Sequence, residues 1–261
     1  MPLTEVVGRR LYVTDFGQDI ARSAERVLAE VAEIDHRTGA FKGELSGRLR
    51  LSIVGTAQYV LPFFIRDFMR THPAVELSVD VTNRARVVRS LQRNEVDFSL
   101  VSLMPETLSL HSIDLMRNTL QLVASASILS KERISKRELS TIPFIYREEG
   151  SGTREMMEKV VREYNLPVNK RLELSSNEAV KQAIIAGLGC SIVPIISMKS
   201  ELQQGSLRVI PVKGFPIHSM WRLIWLKQKK LSPVAEAFRL YMNSQKARMV
   251  KEQFAWLQDY V

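Results

Sequence analysis

The sequence predicts an α/β protein in which two units of alternating strand and helix follow one long helix. Three observations carry this reading. From residue 49 onward, short apolar runs of strand length alternate with apolar stripes of helical period, and the alternation restarts near residue 143. Ile20, Ala24, Val27, Val31 and Ile34 follow a 4, 3, 4, 3 spacing, the seam of a helix that packs on another helix. With 261 residues and 45% hydrophobic content, the chain can bury a core in one large or two modest domains.

The long helix is expected over residues 16–37. Thr14 or Asp15 serves as its cap, and Gln18 stands three residues after Asp15 as a capping box worth about 1 kcal/mol. Gly39 and Gly43 signal its end. Residues 49–54 then read as strand, 56–71 as helix, 75–81 as strand, 84–93 as helix and 96–101 as strand. This βαβαβ pattern implies parallel pairing and right-handed crossovers. Two separate extended runs, 110–115 and 119–125, come next. The second unit comprises strand 143–146, helix 153–164, strand 171–174, helix 178–188, strand 190–193, a short helix and strand 207–211. A last strand, 221–226, precedes a helix opening at Ser232-Pro233, with Ser as cap and Pro at the first helical position. The tail ends in an apolar stripe of Val250, Phe254, Leu257 and Val261 that the pattern leaves unassigned.

Composition excludes several classes of protein. The longest apolar runs, 59–65 and 183–186, fall far short of the roughly 20 residues that span a bilayer, so no membrane role is expected. No export signal is legible at the start, and the default address is the cytoplasm. A single cysteine, Cys190, excludes an internal disulfide, and His36, His72, His111 and His218 have no metal-ligand spacing, so neither metal nor cofactor is expected. The net charge of +9 lies wholly beyond residue 125. Residues 1–50 carry eight basic and eight acidic side chains, and residues 51–125 carry seven of each. The excess is scattered rather than gathered into a stripe, as solvated Lys and Arg would leave it.

In open parallel sheets, ligands sit beyond the carboxyl ends of the strands, where helix N-termini converge. The loops at those ends hold the candidate residues. Gly55, Thr56, Ala57 and Gln58 follow the first strand and offer an anion backbone amides, a hydroxyl and a carboxamide; Thr56 alternatively only caps its helix. Ser102 follows the strand ending at Val101 and faces the same side. The loop from Arg147 through Gly150, Ser151, Gly152 and Thr153 to Arg154 combines glycines that free the backbone with hydroxyls and guanidinium forks. Glu148 and Glu149 are expected to compete for those arginines. Ser175 with Glu178 reads as a capping box, with Asn177 beside it either reaching the cleft or turning the chain. Gly187-Leu188-Gly189 is a helix stop, not a dinucleotide fingerprint. Catalytic groups are wanting: there is no Gly-x-Ser-x-Gly elbow, no histidine near a nucleophile, and Cys190 lies in an apolar strand.

The run from Val7 to Gly17, followed by the heptad helix, resembles the wing and linker helix of LysR-type transcriptional regulators. The resemblance continues through residues 47–55, Leu61-Pro62, 68–73, 94–100 and 176–194, and covers the chain from Val7 to about Met242. Residues 149–154 and 176–181 look most like the branch that includes regulators of carbon-fixation and sulfur-assimilation operons. The resemblance implies two Rossmann-like subdomains similar to periplasmic binding proteins, with a cleft between them and crossovers near residues 122–125 and 223–226. In that frame residues 1–14 are a winged-helix remnant and 15–46 the linker helix and hinge. Residues 47–123 with 224–261 make one subdomain and 124–223 the other. A small, anionic effector would sit in the cleft of a homodimer or homotetramer, with Tyr59 and Phe63 joining the helix seam in dimer contacts. Promoter DNA would be read only through a recognition helix that this sequence lacks. A free solute receptor would need export and no seam helix, and an enzyme would need acid, base or nucleophile in the cleft.

Overall fold

Residues 1–41, 44–128 and 134–260 are described by the computed structural model; the side chains at 25, 28–29, 32–41 and 136 lie outside that description, Ile34 among them. The chain divides into two compact units, Met1–Arg48 with Met69–Glu76, and Leu49–Phe68 with Leu77–Val261.

In the first unit, β1 (Thr4–Val7) and β2 (Arg10–Val13) pair antiparallel around Gly8 and Arg9. Both turn residues adopt positive φ, 57° and 67°, the backbone that a two-residue hairpin requires. Thr14 then starts α1 (Asp15–Phe41), since its Oγ1 accepts the Gly17 amide at 3.0 Å. The cap is therefore Thr14 alone, and the Asp15–Gln18 capping box is corrected: Asp15 is already the first helical residue. The helix also runs through Gly39. An interior glycine costs about 1 kcal/mol, too little to stop a helix by itself. Gly43 lies outside the described residues. Along α1, Ile20, Ala24, Val27 and Val31 are all exposed, so this unit leaves its seam uncovered.

The second unit is built on one mixed sheet of order β4-β3-β5-β11-β6-β9-β7-β8, with β10 pairing β6. Its strands are β3 (Gly47–Val54), β4 (Val75–Thr82), β5 (Phe98–Val101), β6 (Leu110–Ser125), β7 (Pro143–Arg147), β8 (Asn169–Leu174), β9 (Cys190–Pro194), β10 (Leu207–Val209) and β11 (Ile217–Leu226). The helices are α2 (Leu61–Thr71), α3 (Arg84–Gln92), α4 (Lys136–Thr141), α5 (Gly152–Glu163), α6 (Asn177–Ile185), α7 (Lys199–Gln203) and α8 (Pro233–Phe254). Parallel pairs β3/β5, β7/β8 and β7/β9 occupy the two ends, as the alternating pattern predicts. Between them run the long antiparallel strands β6 and β11.

Three expectations are corrected here. The runs 110–115 and 119–125 are one continuous strand, because Met116, Arg117 and Asn118 keep their ladder with β11. β6 pairs β9 over Leu120–Ala124, and β11 pairs β5 over Arg222–Ile224. The helix expected over 56–71 is a 3-10 turn, Gly55–Tyr59, followed by α2. Pro62 causes the break, since a proline ring inside an α-helix collides with the carbonyl four residues back, here that of Gln58. Last, α4 was not foreseen; its capping box, Ser135 with Glu138, is complete.

Of the tail stripe, Phe254 and Leu257 are buried, and Val261 lies outside the described residues. Ser232 caps α8 by accepting the Ala235 amide at 3.2 Å, as its Ser-Pro signal predicts. Phe238 packs on Phe68 and Phe98, and Phe254 sets its ring against Phe63 and Phe64.

Candidate functional site

Strand ends and helix starts converge on one cavity. It is lined by Val54, Gly55 and Thr56 after β3, Asn83 and Arg84 after β4, Ser102 and Leu103 after β5, Arg147 of β7, Ser151, Gly152 and Thr153 at the start of α5, and Asn177 at the start of α6. Among the predicted residues, Gly55, Thr56, Ser102, Arg147, Ser151, Gly152, Thr153 and Asn177 thus line the cavity. Three do not. Ala57 is fully buried in the core, and Gln58 is exposed, because the 3-10 turn forced by Pro62 rotates both away from the direction an α-helix would give them. Gly150 stands outside the lining. Its carbonyl accepts the Ala85 amide at 3.3 Å, which closes one side of the cleft.

Asn83 and Arg84 were missed. Asn83 caps α3 through Oδ1, which accepts the Arg86 amide at 3.1 Å, a signal legible as Asn at the helix start. Arg84 had no such signal: Arg84, Arg86, Arg89 and Arg93 look alike in the sequence, and only packing turns the first inward.

Three α-helices of nine to twelve residues, α3, α5 and α6, present their N-termini here. Each brings free amides and the positive end of a helix dipole. Ser151 is the cap of α5, not Thr153, and its Oγ accepts the Arg154 amide at 3.5 Å. Ser176 is the cap of α6, not Ser175, and accepts the Ala179 amide at 3.0 Å. Thr56 caps no α-helix and is 3% exposed, so the reading that reduces it to a cap is excluded.

The electrostatics favour an anion. The lining includes two guanidinium groups and no carboxylate. Arg147, 6% exposed, donates from Nε and Nη2 to Glu148 at 2.8 and 3.0 Å, and from Nη1 to the Asn177 side-chain Oδ1. A guanidinium carries five N–H donors, so two of Arg147's remain for a ligand. The Asn177 Nδ2 is buried without a partner among the described residues. It lies close to Gly55, where an added Cβ would come within 3.6 Å of it. Arg154 does not join the site; Glu158, Glu173 and Glu149 hold it outside.

The cleft is closed. Arg84 donates to the carbonyls of Leu103 and Met104 and pairs with Glu155 of α5 at 3.0 Å. Tyr59 donates its hydroxyl to Glu178 of α6 at 3.0 Å. Burial and the Glu178 carboxylate both raise the Tyr59 pKa. At Glu178 burial works upward, but hydrogen bonds from Gln182, Lys181 and Tyr59 hold the carboxyl below its usual range. Space for a water-sized body amounts to ≈ 20 Å³, about one water.

No nucleophile and base meet in this cavity. Cys190 is fully buried in β9, and burial pushes its thiol pKa up, which keeps it inert. Among the described residues no group of three or more His, Cys, Asp or Glu could hold a metal ion, and no helix is long and apolar enough to cross a membrane.

The LysR substrate binding domain family matches residues 42–247. The HTH-type transcriptional regulator CbbR of Rhodospirillum rubrum is 34% identical over 244 residues, covering 94% of this chain and 82% of its own. The HTH-type transcriptional activator CmpR of Synechocystis sp. PCC 6803 is 33% identical, with coverage of 93% and 80%. Among solved structures, the CcmR regulatory domain of Synechocystis PCC 6803, in complex with 2-PG, superposes with a TM-score of 0.71 at 34% identity over 77% of this chain and 98% of that one. The effector-binding domain of QuiR, in complex with shikimate, shares the fold at 17% identity, with a TM-score of 0.68 over 78% of this chain and 98% of that one. The two βαβ units, the cleft between them and these matches agree: the chain belongs to the LysR substrate-binding-domain family of LysR-type transcriptional regulators.

Proposed function

We propose that this chain senses a small anionic metabolite in the cleft and passes the result to promoter binding or activation by the whole regulator. The observation that carries it is the meeting of three helix N-termini and two guanidiniums on a cavity without a carboxylate, with Asn177 Nδ2 unpartnered inside it. The 2-PG bound by the CcmR regulatory domain is the first ligand to try. Recognition without reaction is the chemistry offered, so the chain is read as no enzyme. The division into lobes 47–123 with 224–261 and 124–223 is part of this reading, with β6 and β11 shared between them. So is a role in the cytoplasm with DNA contacted through a separate recognition helix.

Calorimetric titration with 2-PG tests the site. Thr56→Val keeps the side chain's shape and deletes its hydroxyl, and is expected to weaken binding by about 1–3 kcal/mol with little change in melting temperature. Unaltered affinity in a variant that still binds means the ligand lies elsewhere.

Self-association belongs to the same reading. Ile20, Val27 and Val31 are 42%, 62% and 49% exposed along one stripe of α1, and Phe63 is 40% exposed on α2. Sedimentation at micromolar concentration is expected to show a dimer or tetramer, and Val27→Asp to shift it toward monomer. A wild-type monomer counts decisively against it.

A further inference from the structure

Residues 248–261 lie beyond the family match, which ends at 247. Their apolar stripe is nevertheless built into the fold. Phe254, 4% exposed, is clamped on Phe63 and Phe64 of α2, with ring centroids 5.4 and 6.1 Å apart. Arg248 ties the same stretch to Asp67 of α2 at 3.1 Å. These anchors belong to the β3–α2–β4 end of the sheet.

The next six residues change sides. Ala255–Tyr260 is a 3-10 turn in which Leu257 is buried. The Trp256 ring sits under the Lys199 ammonium of α7, 5.2 Å from Nζ to centroid, and the Tyr260 carbonyl accepts the Gln121 Nε2 at 3.1 Å. Gln121 lies in the part of β6 that pairs β9, and Lys199 follows β9 directly. These two anchors therefore belong to the other end of the sheet. The short turn after β9, Ile195–Ser197, touches both this terminal turn and the Gly55–Tyr59 turn that carries Thr56. The tail thus reaches the turn that carries Thr56 through one intervening turn.

We propose that residues 254–260 are a strap across the two lobes that sets the balance between open and closed cleft. Phe254 fixes it to one lobe, and Lys199 with Gln121 fixes it to the other. Parting the lobes by a rigid-body motion stretches the segment between these anchors, which are only two to six residues apart along the chain. The weaker contacts, Lys199–Trp256 and Gln121–Tyr260, give first. Phe254 and Trp256 are positioning residues on this reading: neither lines the cavity, and both act through the Gly55–Tyr59 turn. The proposal rests on the effector reading only for its consequence at the binding site, because the strap's effect on lobe separation exists without any ligand.

Paired spin labels read that separation in the ligand-free chain. Arg89→Cys on α3 and Lys159→Cys on α5 place them on exposed positions of the two lobes, while Cys190, the only native thiol, is buried. Into this background go Lys199→Met and Trp256→Ala. Each is expected to raise the long-distance population about two- to fivefold relative to the short one. Because both remove the same contact, the two together should do no more than either alone. Lys199 is exposed, so its replacement carries the test even where Trp256→Ala lowers the melting temperature. A distance distribution unchanged in Lys199→Met overturns the strap, and so does a lowered melting temperature with unchanged distances, which marks the tail as packing alone. Failure of 2-PG to bind leaves this measurement standing and bears on the effector reading instead.

Discussion

Replacing Arg147 with methionine is expected to cut anion affinity in the cleft about a hundredfold or more. Two effects add. The ligand loses a charge-assisted hydrogen bond worth about 1.5–3 kcal/mol. Glu148, now bonded to Arg147 at 2.8 and 3.0 Å, loses its countercharge and leaves a bare carboxylate beside the site. A cavity tuned to attract an anion then repels it. The double variant Arg147→Met with Glu148→Gln separates the contributions: removal of the stray carboxylate should restore affinity about tenfold, ~1.4 kcal/mol, without reaching the parent. Titration calorimetry with 2-PG on parent, single and double variants reads both numbers. A single variant that binds like the parent means Arg147 supports the loop and does not meet the ligand.

The largest expected loss of stability comes from Gly189→Ala, at about 3 kcal/mol or more, within the range of severe single substitutions. Gly189 stands at φ +152°, between the end of α6 and β9, and an added Cβ would lie 2.1 Å from the Pro143 carbonyl oxygen. That oxygen belongs to β7, which pairs β9 in parallel through Phe144 and Cys190, so it cannot withdraw without opening the sheet. At about 2–4 °C per kcal/mol for a chain of this size, the melting temperature should fall by roughly 6–12 °C, or folded protein should fail to accumulate. Gly205→Ala is the control. It shares a positive φ, +74°, but an added Cβ meets nothing within 4 Å. Its cost should stay near the 1–2 kcal/mol of a strained left-handed residue. Equal melting temperatures for the two variants would show that backbone strain, not the close approach to Pro143, makes Gly189 necessary.

Much of the site was legible because α/β topology assigns function to position. Once β3, β5, β7 and β8 are recognised, the loops at their carboxyl ends are named, and Thr56, Ser102, Ser151, Thr153 and Asn177 stand in them. What failed there failed for local reasons with visible causes. Pro62 breaks the helix that the apolar period predicts over 56–71, and Ala57 and Gln58 therefore turn away from the cavity. The cap of α6 is Ser176, one position after the predicted Ser175. Several adjacent residues there can all cap, and the choice depends on which backbone amide each oxygen reaches.

The sequence by itself determined most of the alternation of strands and helices, the apolar seam of α1 and which loops stand at the strand ends, because hydrophobic period and turn residues are local properties. Only the tertiary structure decided which of three similar arginines on α3 enters the cleft, that two extended runs are one strand shared by both lobes, and where the tail stripe packs. Each of these depends on partners far away in the chain: Arg84 on Glu155 in α5, β6 on its ladder with β11, and Phe254 on Phe63 and Phe64. A periodic pattern states that a face will be buried, but the element that covers it is fixed by packing, which sequence period does not encode.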